Sequence, residues 1–307
     1  MRSGAFVRSK PRPFTSYARQ GTRNRKPVQS PRPLSSIEKQ RRARSALNRK
    51  GKIPLILEKF NLKGKTALVT GSSRGLGAGI AIALAEAGAN VAVHGSAHAP
   101  KATQKLIAKT GVECIALAGD VGDVAVCTRL VEETVQHFGS IDILVNNAGI
   151  IRRSPAVDHS EEDWKALIDI NLSSVFRLTQ HAGRHMLAKG AGKIINIASL
   201  LTFQGGIMVP SYAAAKGGVG QLTKAFANEW ASKGVNVNAI APGYFATDNT
   251  EALQNNPERA RQILDRIPAG RWGNPEDLSG AAVFLASAAS DYIHGHVLVV
   301  DGGWLNR

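Results

Sequence analysis

The chain has 307 residues with 39 Lys/Arg against 23 Asp/Glu, a formal net charge of +16 at pH 7. Sixteen of those basic residues but a single acid, Glu38, fall in residues 1–52, so the excess sits at one end and the body is nearly neutral, which argues against a body built to coat nucleic acid. Cys114 and Cys127 are too few for a disulfide framework or a cysteine metal site, and the absence of an 18-residue apolar run excludes a membrane-spanning helix.

Residues 1–54 are expected to form a disordered basic extension. Pro11, Pro13, Pro27, Pro31 and Pro33 interrupt helices, and few apolar side chains are available to bury. Only Ser36–Lys50 has the makings of a transient basic helix. Three readings compete for this segment. Its Arg and Ser content suits an organellar leader, and its charge suits a nonspecific, salt-sensitive nucleic-acid arm. The third reading is a stretch upstream of a start near Leu55 or Leu57, favoured because no Met occurs between Met1 and Met186. No signal-peptide apolar run is present, so a cytoplasmic location is expected.

Residues 55–307 suffice for one well-filled domain. Short apolar runs predict strands at Lys65–Thr70, Asn90–His94, Cys114–Leu117, Ile143–Asn146, Ile194–Ala198, Val235–Ile240 and Val297–Val300. Helices are predicted between them, over Ala78–Ala87, Ala102–Lys109, Val124–Phe138, Glu161–Leu187, Tyr212–Ser232 and Pro275–Ala286. Alternating strands and helices with near-continuously apolar strands predict an α/β fold, a single-domain, Rossmann-type doubly wound parallel sheet covered on both faces.

The first predicted strand runs into Gly71-Ser-Ser-Arg-Gly-Leu-Gly77 and then a helix. Strand, glycine-rich turn and helix together form a phosphate cradle, because glycine lets the backbone come close and a helix amino end presents free N–H groups. A tight strand–helix turn is the alternative for the glycines alone. Further on, Ser199 closes a predicted buried strand, at the carboxyl end where ligands bind in open sheets. Tyr212 and Lys216 lie four apart on one helical face. An ammonium beside a phenol favours its ionised form, which would make Tyr212 a general acid/base near neutral pH. Taken alone, the pair also describes a helix with one exposed lysine. His181 and His185, four apart, are read as a surface pair and not as metal ligands, and no metal is expected. His94, at a strand end, is read as a surface residue or an adenosine contact.

Thr70-Gly71-x-x-x-Gly75-x-Gly77, Asn146-Asn-Ala-Gly149, Asn171, Ser199, Tyr212-x-x-x-Lys216 and Pro242-Gly243, in that order, resemble the short-chain dehydrogenase/reductase family. The resemblance spans about Phe60 to Arg307. It implies that Tyr212 exchanges a proton with the substrate oxygen, that Ser199 hydrogen-bonds that oxygen, and that Lys216 lowers the Tyr212 pKa and binds the nicotinamide ribose. Asn171 would hold a relay water, although a polar residue bending its own helix is the alternative. Gly71, Ser73, Arg74, Gly75, Leu76, Gly77, Asp120, Val121, Asn147, Ala148, Gly149, Pro242, Gly243 and Thr247 would line the dinucleotide site, Asp120 also being readable as a turn cap. The resemblance favours NAD. The residues themselves decide neither way, since Gly95 stands where an NAD-selecting acid is usual and Ser96 where an NADP-binding Arg is usual.

The stretch from Asn146 to Arg153, Leu200–Gly206, Ile263–Gly273 and the closing Val300-Asp-Gly-Gly-Trp304 are similar to the family's sugar-acid dehydrogenases, those acting on 2-dehydro-3-deoxy-D-gluconate first and on gluconate next. On that basis Arg152 and Arg153 are expected to fork a substrate carboxylate and Gln204 to bind sugar hydroxyls. A solvated surface pair or a subunit contact is the alternative for the two arginines, and a split, with one on the ligand and one in the fold, is a third reading. A homotetramer is implied by the family, through the long helices. Two rivals remain: reduction of a 3-oxoacyl thioester, and a non-enzymatic scaffold that binds nucleic acid or a partner through its tail. Retention of Ser199, Tyr212 and Lys216 argues for an enzyme.

Overall fold

The computed structural model describes residues 55–307; the expectations for residues 1–54 lie outside them, apart from the start proposed near Leu55 or Leu57. A one-turn 3-10 helix, Ile56–Phe60, precedes β1 (Thr66–Val69) and α1 (Gly75–Glu86). Then come β2 (Asn90–Gly95), α2 (Lys101–Ala108), β3 (Cys114–Ala118), α3 (Val124–Phe138) and β4 (Ile143–Asn146). The second half contains α4 (Glu161–Ile168), α5 (Ser174–Lys189), β5 (Gly192–Ile197), α6 (Pro210–Trp230) and β6 (Val235–Pro242). It closes with α7 (Glu251–Gln254), α8 (Pro257–Arg266), α9 (Ser279–Ala286) and β7 (Val297–Val300). No helix among the described residues is long and apolar enough to cross a membrane.

All strands are parallel in the order β3-β2-β1-β4-β5-β6-β7, the expected doubly wound sheet, with its switch point between β1 and β4. The continuous apolar strands follow from burial on both sides. Ala67 and Val69 face a core with α1 and α9, while Leu68 between them faces a core with α3, α5 and α6. Full burial of such a leucine contributes about 1.5–3 kcal/mol, so Leu68→Ala would strike the core where two layers meet. Local signals set the helix ends. Asp123 caps α3 by accepting from Ala125 N–H at 2.8 Å, and Gly139 ends it in a left-handed conformation (φ 79°).

The structure departs from the expected helices in three places. Glu161–Leu187 is not one helix, because a π turn over Asp169–Ser173 separates α4 from α5. The extra residue per turn seats Asn171 in the interior, where its side chain bonds both the N–H (2.9 Å) and the carbonyl (2.8 Å) of Ile150. The Pro275–Ala286 segment begins as a 3-10 turn over Pro275–Leu278 and becomes α-helical at Ser279. Finally, α7 and α8 follow β6, in a stretch for which the sequence analysis assigns no element.

Candidate active site

The carboxyl ends of β1 and β4 are bolted together. Thr70 Oγ1 donates to the Val145 carbonyl (3.3 Å) and accepts from the N–H groups of Asn147 and Ala148 (3.1 Å each). Asn147 Nδ2 donates to the carbonyls of Thr70 and Gly71, each at 2.9 Å. The glycine loop is thereby pressed against its neighbours. A Cβ on Gly77 would lie 2.3 Å from both Gly71 O and Asn147 Nδ2, so only glycine fits there. No side chain caps the amino end of α1, which leaves its first N–H donors available beside the loop. This close backbone approach, with free donors and a helix dipole, fits a pyrophosphate.

Gly71, Arg74, Gly75, Leu76, Gly77, Asn147, Ala148, Gly149, Pro242, Gly243 and Thr247 line one cleft, together with Asn171, Ser199, Tyr212 and Lys216. Ser73, Asp120 and Val121 line its continuation beside the ends of β2 and β3. Asp120 also accepts from Gly122 N–H at 2.8 Å, so the turn-cap reading applies as well. Arg74 is ion-paired with Asp248 at 2.8 Å across the mouth of the cleft.

His94 is buried and not a surface residue, and it also lines the cleft's continuation, where the adenosine reading placed it. Its Nδ1 accepts from Gly71 N–H at 3.2 Å, and its Nε2 lies 2.8 Å from the Gly119 carbonyl. Those partners require the neutral ring with the proton on Nε2. Burial pushes the pKa below 6.5, against the pull of the Gly119 carbonyl. A strand-end histidine one register from a glycine turn was the available signal, but its partner depends on how β2 and β3 align.

Ser199 follows β5 and caps a short 3-10 turn, accepting from Leu201 N–H at 3.2 Å. Pro210 begins α6, which carries Tyr212 and Lys216 on the face toward Ser199. The neighbouring turn is fixed by Thr202 Oγ1, which donates to the Lys216 carbonyl at 2.9 Å. Lys216 is buried and donates through Nζ to the Ile197 carbonyl at 2.6 Å. Burial lowers its ammonium to about 8, so it remains charged at neutral pH. Its Nζ stands 5.6 Å from the Tyr212 ring centroid. The Tyr212 phenol is pushed above its ordinary value by burial, and the groups opposing that rise are Ser199 and the charge of Arg153. The expected lowering by Lys216 is therefore not what this arrangement produces, because burial outweighs the neighbouring charges.

Beyond Tyr212 opens a second cavity of about 620 Å³, lined by Arg153, Ser199, Gln204, Tyr212 and residues of α8 among others. The structure separates the expected arginine fork. Arg153 lines the cavity, whereas Arg152 is paired with Asp163 at 3.1 Å, half-exposed and outside it. The reading missed Arg259, Gln262 and Arg266, which line the cavity from α8 around the buried Ile263. Their i, i+3, i+7 spacing was visible, but the helix itself went unread. His181 faces Thr128 at 3.0 Å and His185 faces Glu132 at 3.0 Å, and no metal-like group of three ligands occurs among the described residues.

Residues 71–305 match the family model described as enoyl-(acyl carrier protein) reductase. A 2-dehydro-3-deoxy-D-gluconate 5-dehydrogenase of Dickeya dadantii (strain 3937) is 52% identical over 254 residues, covering 82% of this chain and 100% of that protein. An Agrobacterium tumefaciens protein provisionally named a 2-deoxy-D-gluconate 3-dehydrogenase, solved with bound NADP, is 55% identical with a TM-score of 0.75, over 81% of this chain and 99% of that one. A gluconate 5-dehydrogenase from Burkholderia cenocepacia J2315, in complex with NADP and tartrate, is 40% identical with a TM-score of 0.78, over 82% and 100%.

Proposed function

The chain belongs to the short-chain dehydrogenase/reductase family, and from that premise we propose that it interconverts a hydroxyl and a ketone on a sugar acid, 2-dehydro-3-deoxy-D-gluconate at carbon 5. The carrying observation is the juxtaposition of two clefts at Ser199 and Tyr212, one a phosphate cradle and the other lined by arginines without a carboxylate.

A nicotinamide dinucleotide, held by the Gly71–Gly77 loop and by Lys216, supplies or accepts the hydride when bound. The remaining steps belong to the chain. Ser199 orients the substrate oxygen. In the reducing direction Tyr212, kept protonated by burial, hands its proton to that oxygen; in the oxidising direction it takes the proton back. Lys216, cationic at neutral pH, stabilises the tyrosinate that forms between proton transfers.

NAD was favoured by the resemblance alone, and the cleft is compatible with NADP. A Cβ on Gly95 would lie 2.3 Å from His98 O and 2.5 Å from Ser73 Oγ, so no acid can occupy that position without displacing both. Ser96 is exposed beside it, and the Agrobacterium relative was solved with NADP. Both cofactors are proposed to be accepted, with Ser96→Glu weakening NADP(H) while sparing NAD(H).

A homotetramer built on α5 and α6 is also proposed. Its support is an apolar surface of Leu172, Phe176 and Leu222, with Phe176 41% exposed.

The test is oxidation of NADPH and NADH by the purified full chain with 2,5-diketo-3-deoxygluconate, beside 5-ketogluconate and an acetoacetyl thioester. Preference for the deoxy diketo acid is expected. Preference for the thioester would keep the Tyr212 chemistry and overturn the substrate.

A further inference from the structure

Several exposed arginines among the described residues are paired with a carboxylate at close range. Arg74 pairs with Asp248, Arg129 with Glu133, Arg152 with Asp163 and Arg271 with Asp277. Helix α8 divides its arginines by face. Arg261, outside the cavity, pairs with Asp265 at 3.8 Å. Arg259 and Arg266 line the cavity; no carboxylate side chain among the described residues lies within ion-pairing distance of either, although Arg266 meets the terminal carboxylate of Arg307. The cavity wall contains no Asp or Glu at all, and its charged residues are Arg153, Arg259 and Arg266.

These three cations occupy different ends. Arg153 lines the cavity together with Ser199 and Tyr212. Arg266 is held in place, its guanidinium 4.1 Å above the Trp304 ring and its Nη2 donating to the terminal carboxylate of Arg307 at 3.3 Å. Arg259 donates a single bond, Nη1 to Gln262 Oε1 at 3.0 Å, and Gln262 Nε2 in turn donates to Glu258 Oε1 at 3.3 Å. That chain orients the guanidinium and leaves its other N–H donors free for a bidentate acceptor.

We infer that Arg259, with Arg266 as a fixed second charge, receives the substrate carboxylate, so that α8 and not the Arg152–Arg153 pair selects for acids. The inference rests on the sugar-acid reading above. A sugar acid carries its carboxylate at the end of the chain remote from the carbonyl that reacts. With the carbonyl at Ser199 and Tyr212, the remote end lies toward the wall that α8 provides. An uncharged ketose would forgo the charge-assisted bonds that Arg259 offers a carboxylate.

The test compares the full-length protein with Arg259→Ala, Arg259→Lys and Arg261→Ala, using 2-dehydro-3-deoxy-D-gluconate and its uncharged carboxamide. Arg259→Ala is expected to raise KM for the acid about tenfold to a hundredfold, the loss of one charge-assisted fork. Its kcat should stay within about twofold, because the contact is made equally in ground and transition states. KM for the carboxamide should be unchanged, Arg259→Lys should recover part of the loss, and Arg261→Ala should match the parent. An unchanged KM for the acid in Arg259→Ala would overturn the inference. Equal losses for acid and carboxamide would also overturn it, by marking a structural role. If the parent protein turns over no sugar acid, the functional reading itself falls, and the inference with it.

Discussion

Gly77→Ala is a sharp test of how the cofactor cradle is built. The added methyl would sit 2.3 Å from the Gly71 carbonyl oxygen and from Asn147 Nδ2, and 2.9 Å from the Gly71 carbonyl carbon. Relief requires a shift of roughly 1 Å in a packed turn, an overpacking cost of about 1–3 kcal/mol. Asn147 cannot retreat without loosening its bonds to Thr70 O and Gly71 O, each contributing about 0.5–1.5 kcal/mol. Alanine's helix propensity returns about 1 kcal/mol. The net expectation is a loss of about 2–4 kcal/mol. It should be read as a lower urea midpoint at unchanged m-value, together with weaker NADPH binding by fluorescence titration. Gly280→Ala in α9 is the control of opposite sign. Nothing lies within 4 Å of its Cβ, so the propensity gain of up to about 1 kcal/mol should appear as added stability. A Gly77→Ala protein within about 0.5 kcal/mol of the parent, with undiminished NADPH affinity, would refute the reasoning.

Three further outcomes are expected. Lys216 is lowered to about 8 in the fold from 10.5, so above pH 8 the unfolded chain holds a proton that the folded one releases, and stability rises with pH. Measured against Lys216→Met by urea unfolding, the rise from pH 8 to 9.5 should reach up to about 2 kcal/mol; a flat difference would mean the ammonium is not desolvated. His94 is held below 6.5, so its contribution is fully present above 6.5 and is lost as pH falls toward its folded value. His94→Gln should abolish that acid slope and weaken NADPH binding, and a slope unaltered by the substitution would assign it elsewhere. Phe176→Asp should reduce the particle mass in light scattering below that of a tetramer, and an unchanged mass would remove α5 from the interface.

Tyr212 and Lys216 could be paired from sequence because four residues on one helix share a face whatever surrounds them. The Gly71–Gly77 loop was legible for a similar reason, since its glycines, the strand before and the helix after are contiguous. The doubly wound parallel sheet followed from short apolar runs between helices, for which few parallel arrangements exist. What went unread depends on packing from afar. The π turn that buries Asn171 exists to reach the Ile150 backbone, twenty-one residues away. His94 is buried because the turns after β1 and β3 close over it.

The sequence by itself thus determined the fold class, the cofactor loop and the Ser199–Tyr212–Lys216 trio, all carried by local spacing or strand ends. Only the tertiary structure decided which charges share a cavity. It sent Arg152 to Asp163 and Arg153 toward Tyr212, and it swung α8 over the opening with Arg259 and Arg266 facing in. It also decided that burial outweighs the neighbouring charges on Tyr212. Charge interactions and desolvation depend on distance and burial, and neither is a property of sequence neighbours.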